Sequence, residues 1–229
     1  MFIYLVFMLP ALFLTIWAQS RVTSAFNKYS RVPNAQGLNG MDVAQVLMRN
    51  EGLQHVRVEQ IPGNLTDHYD PRSKVMRLSQ GSARVPSVAA LAIVAHELGH
   101  AVQDKQGYVW LQVRSGLVGF ANIGSQLGVW LVIGGLFLAA ASPLGETIAW
   151  VGIILFSAAV AFTLVTLPVE FNASARAREM LTRNGLVTVQ ETDGVNQILN
   201  AAALTYVAAA AQAISQLLYF ITLIGGRRD

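Results

Sequence analysis

The chain has 229 residues, 53% hydrophobic and only 13% charged, too few charges for an ordinary water-soluble protein and enough apolar residues for several membrane spans. Its formal charge of +3 comes from basic residues scattered among acids, with no basic run or interleaved aromatics, so nucleic-acid binding has no support. Cysteine is absent, which excludes disulfides and thiolate metal sites and leaves histidine and carboxylate as the available metal ligands.

Phe2 to Trp17 is an apolar run without a preceding basic residue, and its positive charges, Arg21, Lys28 and Arg31, come after it. That order predicts a retained anchor whose C-terminal end faces the cytoplasm, rather than a cleaved signal peptide. After the loop Val32–Gly37, Asn39 and Asp42 make a helix start, Val43, Val46 and Leu47 supply an apolar stripe, and Gly52 stops it. His55–Ile61 alternates with period two and Lys74–Ser79 does so more loosely, predicting two short strands in a small sheet. Pro62-Gly63 and Asp70–Ser73 supply turns, and Asp67–Pro71 reads as a capped turn with a ring packed on the sheet. An edge near Lys74–Ser79 is the expected place for an extended peptide to add as a strand.

A helix is predicted from the Ser87 cap to near Gly107, apolar nearly all round, and it carries His96-Glu97-Leu98-Gly99-His100. Four residues apart on a helix, both imidazoles project from one face and can share a metal ion. Glu97 beside them is placed to take a proton from the water that such a metal activates, as in zinc peptidases. Gly99 leaves room for a close approach by a substrate backbone or another element.

Gly119–Ala141 and Thr147–Leu167 contain no charged residue and are separated by Ser142-Pro143-Leu144-Gly145-Glu146, which predicts a transmembrane hairpin with a tight turn. Gly124, Gly128 and Gly135 suit close helix packing. A hairpin returns the chain to the face it left, so the residues after Leu167 emerge on the same side of the membrane as the histidine helix. Catalytic zinc needs one more protein ligand, and Glu170 is the first ionisable residue there, opening a segment that reads as helix up to Gly185. His68 and Glu179 compete for that role, with Glu191 and Asp193 behind them. The last apolar segment, about Ala201 to Ile224, is interrupted by Gln212, Ser215 and Gln216 and either spans or packs against the soluble portion. Arg21 to Arg114 carries more base than acid, placing that region in the cytoplasm, whereas a fourth full span would put Arg227 and Arg228 outside, against the same rule.

Phe26–Ser30, Asp67–Pro71, His96–Gln103, Leu167–Phe171 and Ala203–Val207 together resemble the bacterial YugP-like neutral zinc metallopeptidases, and more distantly the membrane gluzincins HtpX and the CAAX prenyl protease. The resemblance covers nearly the whole chain. It implies a mainly α integral membrane protein whose zincin-like catalytic domain has a small β-sheet, with a transmembrane hairpin inserted between the metal helix and the third-ligand helix. It implies one Zn²⁺ per chain, His96, His100 and Glu170 as ligands, and Glu97 as general base. The broader gluzincin pattern has an aspartate four residues after the ligand glutamate; Ser174 stands there, with Asn172 as the other candidate to steady a motif histidine.

The expected organisation is an anchor over 1–19, catalytic parts at 20–118 and 168–200, the hairpin at 119–167 and a C-terminal apolar helix at 201–229. The expected function is a multi-pass, membrane-bound zinc endopeptidase acting at the cytoplasmic face on peptides or membrane proteins. His68, Tyr69, Arg176 and Tyr206 are candidate oxyanion or substrate contacts. The alternative is a non-catalytic scaffold that a metal ion staples together. The spans carry no charges of the kind that mark a transport path.

Overall fold

A computed structural model of the chain describes residues 2–226, so Arg227 and Arg228 lie outside the described residues. The elements in order are α1 (Phe2–Tyr29), α2 (Gly40–Asn50), β1 (Arg57–Ile61), β2 (His68–Asp70), β3 (Val75–Ser79), α3 (Gln80–Arg84), α4 (Val88–Lys105), α5 (Val109–Leu138), α6 (Leu144–Arg183) and α7 (Val189–Gly225). By length and composition α1, α5, α6 and α7 can each cross a membrane.

All four are longer than the apolar runs that announce them. Polar residues continue the helical hydrogen bonding past the run, and α6 passes through Pro168 without ending, although a proline there deprives the Leu164 carbonyl of its partner. The hairpin turn also lies earlier than expected, because α6 already begins at Leu144, just after Pro143.

The chain divides into two compact units. One comprises Met1–Trp17, Gln112–Leu167 and Thr205–Asp229. Within it α5 and α6 pack backbone to backbone: a Cβ on Gly124 would stand 2.2 Å from the Leu155 carbonyl oxygen, and one on Gly135 would stand 2.5 Å from the Ala149 nitrogen. Phe156 of α6 meets Phe220 of α7 edge to face, beside buried Val132 and Ile153.

The other unit comprises Ala18–Leu111 and Pro168–Leu204, and its core forms around α4. An apolar helix without a polar face has to be surrounded. Val43 and Leu47 of α2, Met76 and Leu78 of β3, Leu181 of α6 and Leu199 of α7 all belong to the same buried cluster as Leu91 and Leu98. The start of α2 is the predicted one, with Asn39 accepting from the Met41 and Asp42 amides while Asp42 accepts from the Asn39 amide.

The sheet has the order β1-β3-β2, with β1 parallel to β3 (Arg57↔Val75) and β2 antiparallel to it (His68↔Arg77). This corrects two expectations. Asp67–Pro71 contains a strand, β2, rather than only a turn, although the Tyr69 ring is buried as anticipated. The 74–79 strand is central, so both its edges are already paired and no peptide can add there. The open edges belong to β1, largely exposed despite its alternation, and to β2.

Candidate metal centre

The helix α4 is capped as its sequence demands. The Ser87 hydroxyl accepts from the Ala90 amide at 3.2 Å, and past the other end Gly107 takes the left-handed conformation, φ +64°. Between these ends His96 and His100 lie one turn apart, ring centroids 4.8 Å from each other and planes nearly perpendicular at 85°. Asp104, the next turn on, accepts from the Tyr69 hydroxyl at 2.6 Å and from Lys74 Nζ at 2.5 Å, which pins this end of α4 to β2 and to the start of β3.

Glu170 arrives on α6. The approach depends on Gly99, where a Cβ would stand 2.6 Å from the Ala173 carbonyl oxygen; only a residue without a side chain lets the two backbones come this close. Glu170 lies less than one turn before that contact and is 2% exposed. Its Oε2 is 3.3 Å from His96 Nε2 and 3.6 Å from His100 Nε2.

These distances fit a shared cation. Ligands held at about 2.0–2.1 Å around a tetrahedral zinc stand roughly 3.3–3.4 Å from one another, close to the spacing seen. Among the described residues, His96, His100 and Glu170 form the group whose ligand atoms can hold a metal ion. Burial disfavours the charged form of the His100 imidazole, yet hydrogen bonding and charge from Glu170, with further charge from Glu97, outweigh it and raise its pKa above the usual 6.5. A cation entering the site therefore competes with a proton that Glu170 itself helps to hold.

Glu97 is 8% exposed and has no hydrogen-bond or ion-pair partner among the described residues. A carboxylate buried beside a three-donor cluster without a partner of its own is costly unless a hydrogen-bonding species enters the site.

Both imidazoles are steadied from behind. Ser174 Oγ lies 3.2 Å from His96 Nδ1, filling the position where the wider pattern has aspartate. Gln103 Oε1 lies 3.0 Å from His100 Nδ1, and Gln103 Nε2 donates to the Val169 carbonyl at 2.8 Å and to Asn172 Oδ1 at 3.0 Å. Sequence reasoning missed Gln103; the available signal was a lone amide three residues after His100 in an apolar helix. Asn172 does not touch a histidine directly but holds Gln103.

The other candidates have the following surroundings. His68 is exposed on β2, with Nδ1 2.9 Å from the Thr66 carbonyl oxygen. The Tyr69 hydroxyl is spent on Asp104, and burial, that hydrogen bond and the charges of Asp104 and Asp70 raise its pKa. Arg176 donates to Asn172 Oδ1 at 2.7 Å. Tyr206 lies on α7 in the other unit. Glu179 is exposed and pairs with Arg183, Glu191 caps α7 and accepts from the Ala35 amide, and Asp193 is exposed; none of the three joins the metal group.

Residues 4–225 match the model of a family described as "Putative neutral zinc metallopeptidase". The chain is 42% identical, over 229 residues covering 100% of its length and 99% of the relative's, to a Bacillus subtilis (strain 168) protein named "Putative membrane protease YugP". No solved structure matches it.

Proposed function

The chain belongs to the family of neutral zinc metallopeptidases, and from that premise we propose that it is a membrane-bound endopeptidase using one zinc ion per chain, held by His96, His100 and Glu170. The observation that carries this reading is the convergence of His96 Nε2 and His100 Nε2 on one Glu170 carboxylate oxygen, at 3.3 and 3.6 Å, with Glu97 unpartnered beside them. Zinc bound there supplies Lewis-acid activation of water and of the scissile carbonyl. Glu97 accepts the proton of the attacking water on a carboxylate oxygen and passes it to the departing amide nitrogen. Burial of Glu170 and His100 keeps their charge and dipoles in a medium where they act strongly.

Three protein donors leave a fourth position for water, which supports a catalytic site over a closed structural staple. Substrate backbone is proposed to lie along the free edge of β2, the strand that Tyr69 ties to α4, in place of the β3 edge expected from sequence. The excess of lysine and arginine between Arg21 and Arg114 supports placing the site at the cytoplasmic face, with peptides or membrane proteins as substrates.

The test is Glu97→Gln in the full-length protein, comparing zinc content and cleavage of a casein-type substrate. Zinc retained near one per chain with the cleavage rate down about 10²- to 10⁴-fold is the expected result. Undiminished cleavage by the variant would remove Glu97 as base.

A further inference from the structure

The hydrogen-bond partners of Gln103 admit only one orientation of its amide. Gln103 is wholly buried, and the groups facing its two polar ends are unequal. One end meets the Val169 carbonyl oxygen, which can only accept, and Asn172 Oδ1. The Asn172 amide is itself oriented, because Arg176 Nε, which can only donate, takes the same Oδ1 at 2.7 Å. Gln103 must therefore present its NH₂ to this pair and its carbonyl oxygen to His100, 3.0 Å from Nδ1. A carbonyl oxygen facing a ring nitrogen requires the proton on that nitrogen. His100 Nδ1 is then the protonated atom of the neutral ring, whose lone pair sits on Nε2, the atom 3.6 Å from Glu170 Oε2.

We infer that Arg176, Asn172 and Gln103 form a polarity relay that fixes the tautomer of His100, so that its metal-binding nitrogen is held as a free lone pair. The inference rests on the metal-site reading above and deepens it. Gln103 and Asn172 are positioning residues, and Arg176 sets the sense of the chain from its outer end through its Nε. His96 has no such lock, because the Ser174 hydroxyl facing its Nδ1 can donate as well as accept.

The relay makes a prediction that packing alone does not. Asn172→Asp supplies an acceptor to both Arg176 and Gln103 and preserves the polarity, whereas Asn172→Leu, of similar size and uncharged, removes that acceptor and leaves the Val169 carbonyl alone to orient the Gln103 amide. Zinc affinity of the full-length protein in detergent micelles, measured by competition with a chelator, is expected to fall about 10- to 100-fold in Gln103→Met and by about fivefold to tenfold in Asn172→Leu, where Val169 still holds the Gln103 amide. Asn172→Asp is expected within about threefold of the parent, keeping in cobalt-loaded protein the shifted, slowly exchanging Nδ1 proton of His100 that Gln103→Met loses. Asn172→Asp binding zinc as weakly as Asn172→Leu, or Gln103→Met binding it as tightly as the parent, overturns the relay while leaving the metal site standing. A parent protein that takes up no zinc overturns both.

Discussion

Gly99→Ala is the smallest change that should damage the site without touching a ligand. The added Cβ would stand 2.6 Å from the Ala173 carbonyl oxygen and 3.2 Å from both its carbonyl carbon and its Cα. Restoring ordinary contact with backbone, which cannot rotate away, requires α4 and α6 to separate by roughly 0.8 Å. Ala173 and Glu170 are three residues apart on one helix, about 4.5 Å along its axis, so the carboxylate retreats with the contact. That displacement is about four times the ±0.2 Å that metal–ligand distances tolerate. We expect zinc affinity to drop by at least about tenfold and the fold to lose about 1–3 kcal/mol, the usual cost of overpacking a tight interface. Chelator competition and thermal melting of the detergent-solubilised protein measure the two separately. A Gly99→Ala protein that binds zinc within threefold of the parent at unchanged melting temperature would show that the glycine does not set the helix separation.

Tyr69→Phe deletes the hydroxyl that donates to Asp104 while leaving the buried ring, and should cost about 1.5–3 kcal/mol, the scale of a hydrogen bond to a charged acceptor, read by denaturant unfolding. Zinc binding should weaken on acidification, because a protonated imidazole cannot ligate; with the His100 pKa raised, the decline should begin above about pH 6.5 rather than below it, and a flat affinity between pH 8 and 6 would contradict this.

Much of the fold was legible because membrane spans and one buried helix are written in local composition. The charge-free runs 119–141 and 147–167 and the small residues Gly124 and Gly135 announced a closely packed hairpin, and Ser87 and Gly107 bracketed α4. Helix lengths were less legible, since polar residues beyond an apolar run are equally compatible with helix and loop; α6 continues through Pro168 although that proline has no amide to donate to the Leu164 carbonyl. Strand order was not legible at all. Whether 74–79 is central or at an edge depends on pairing with 57–61 and 68–70, and β3 is buried on both flanks in a way its loose alternation did not signal.

The site divides along the same line. That His96 and His100 share one face could be read because a helix fixes side-chain directions from spacing alone, whereas the hairpin made Glu170 one candidate beside His68 and Glu179, and the resemblance singled it out. Arg176 illustrates what spacing leaves open. A guanidinium six residues after a ligand glutamate reads as an oxyanion donor, yet its Nε is committed to Asn172, and through Asn172 to Gln103. Hydrogen-bond polarity is a property of pairs, and the partners that orient Gln103 lie 66 and 69 residues away on another helix. Spacing along α4 therefore specifies where the two imidazoles stand, whereas only the packed α4–α6 pair specifies which nitrogen of His100 carries the proton, and a site that must present a lone pair to a cation needs both.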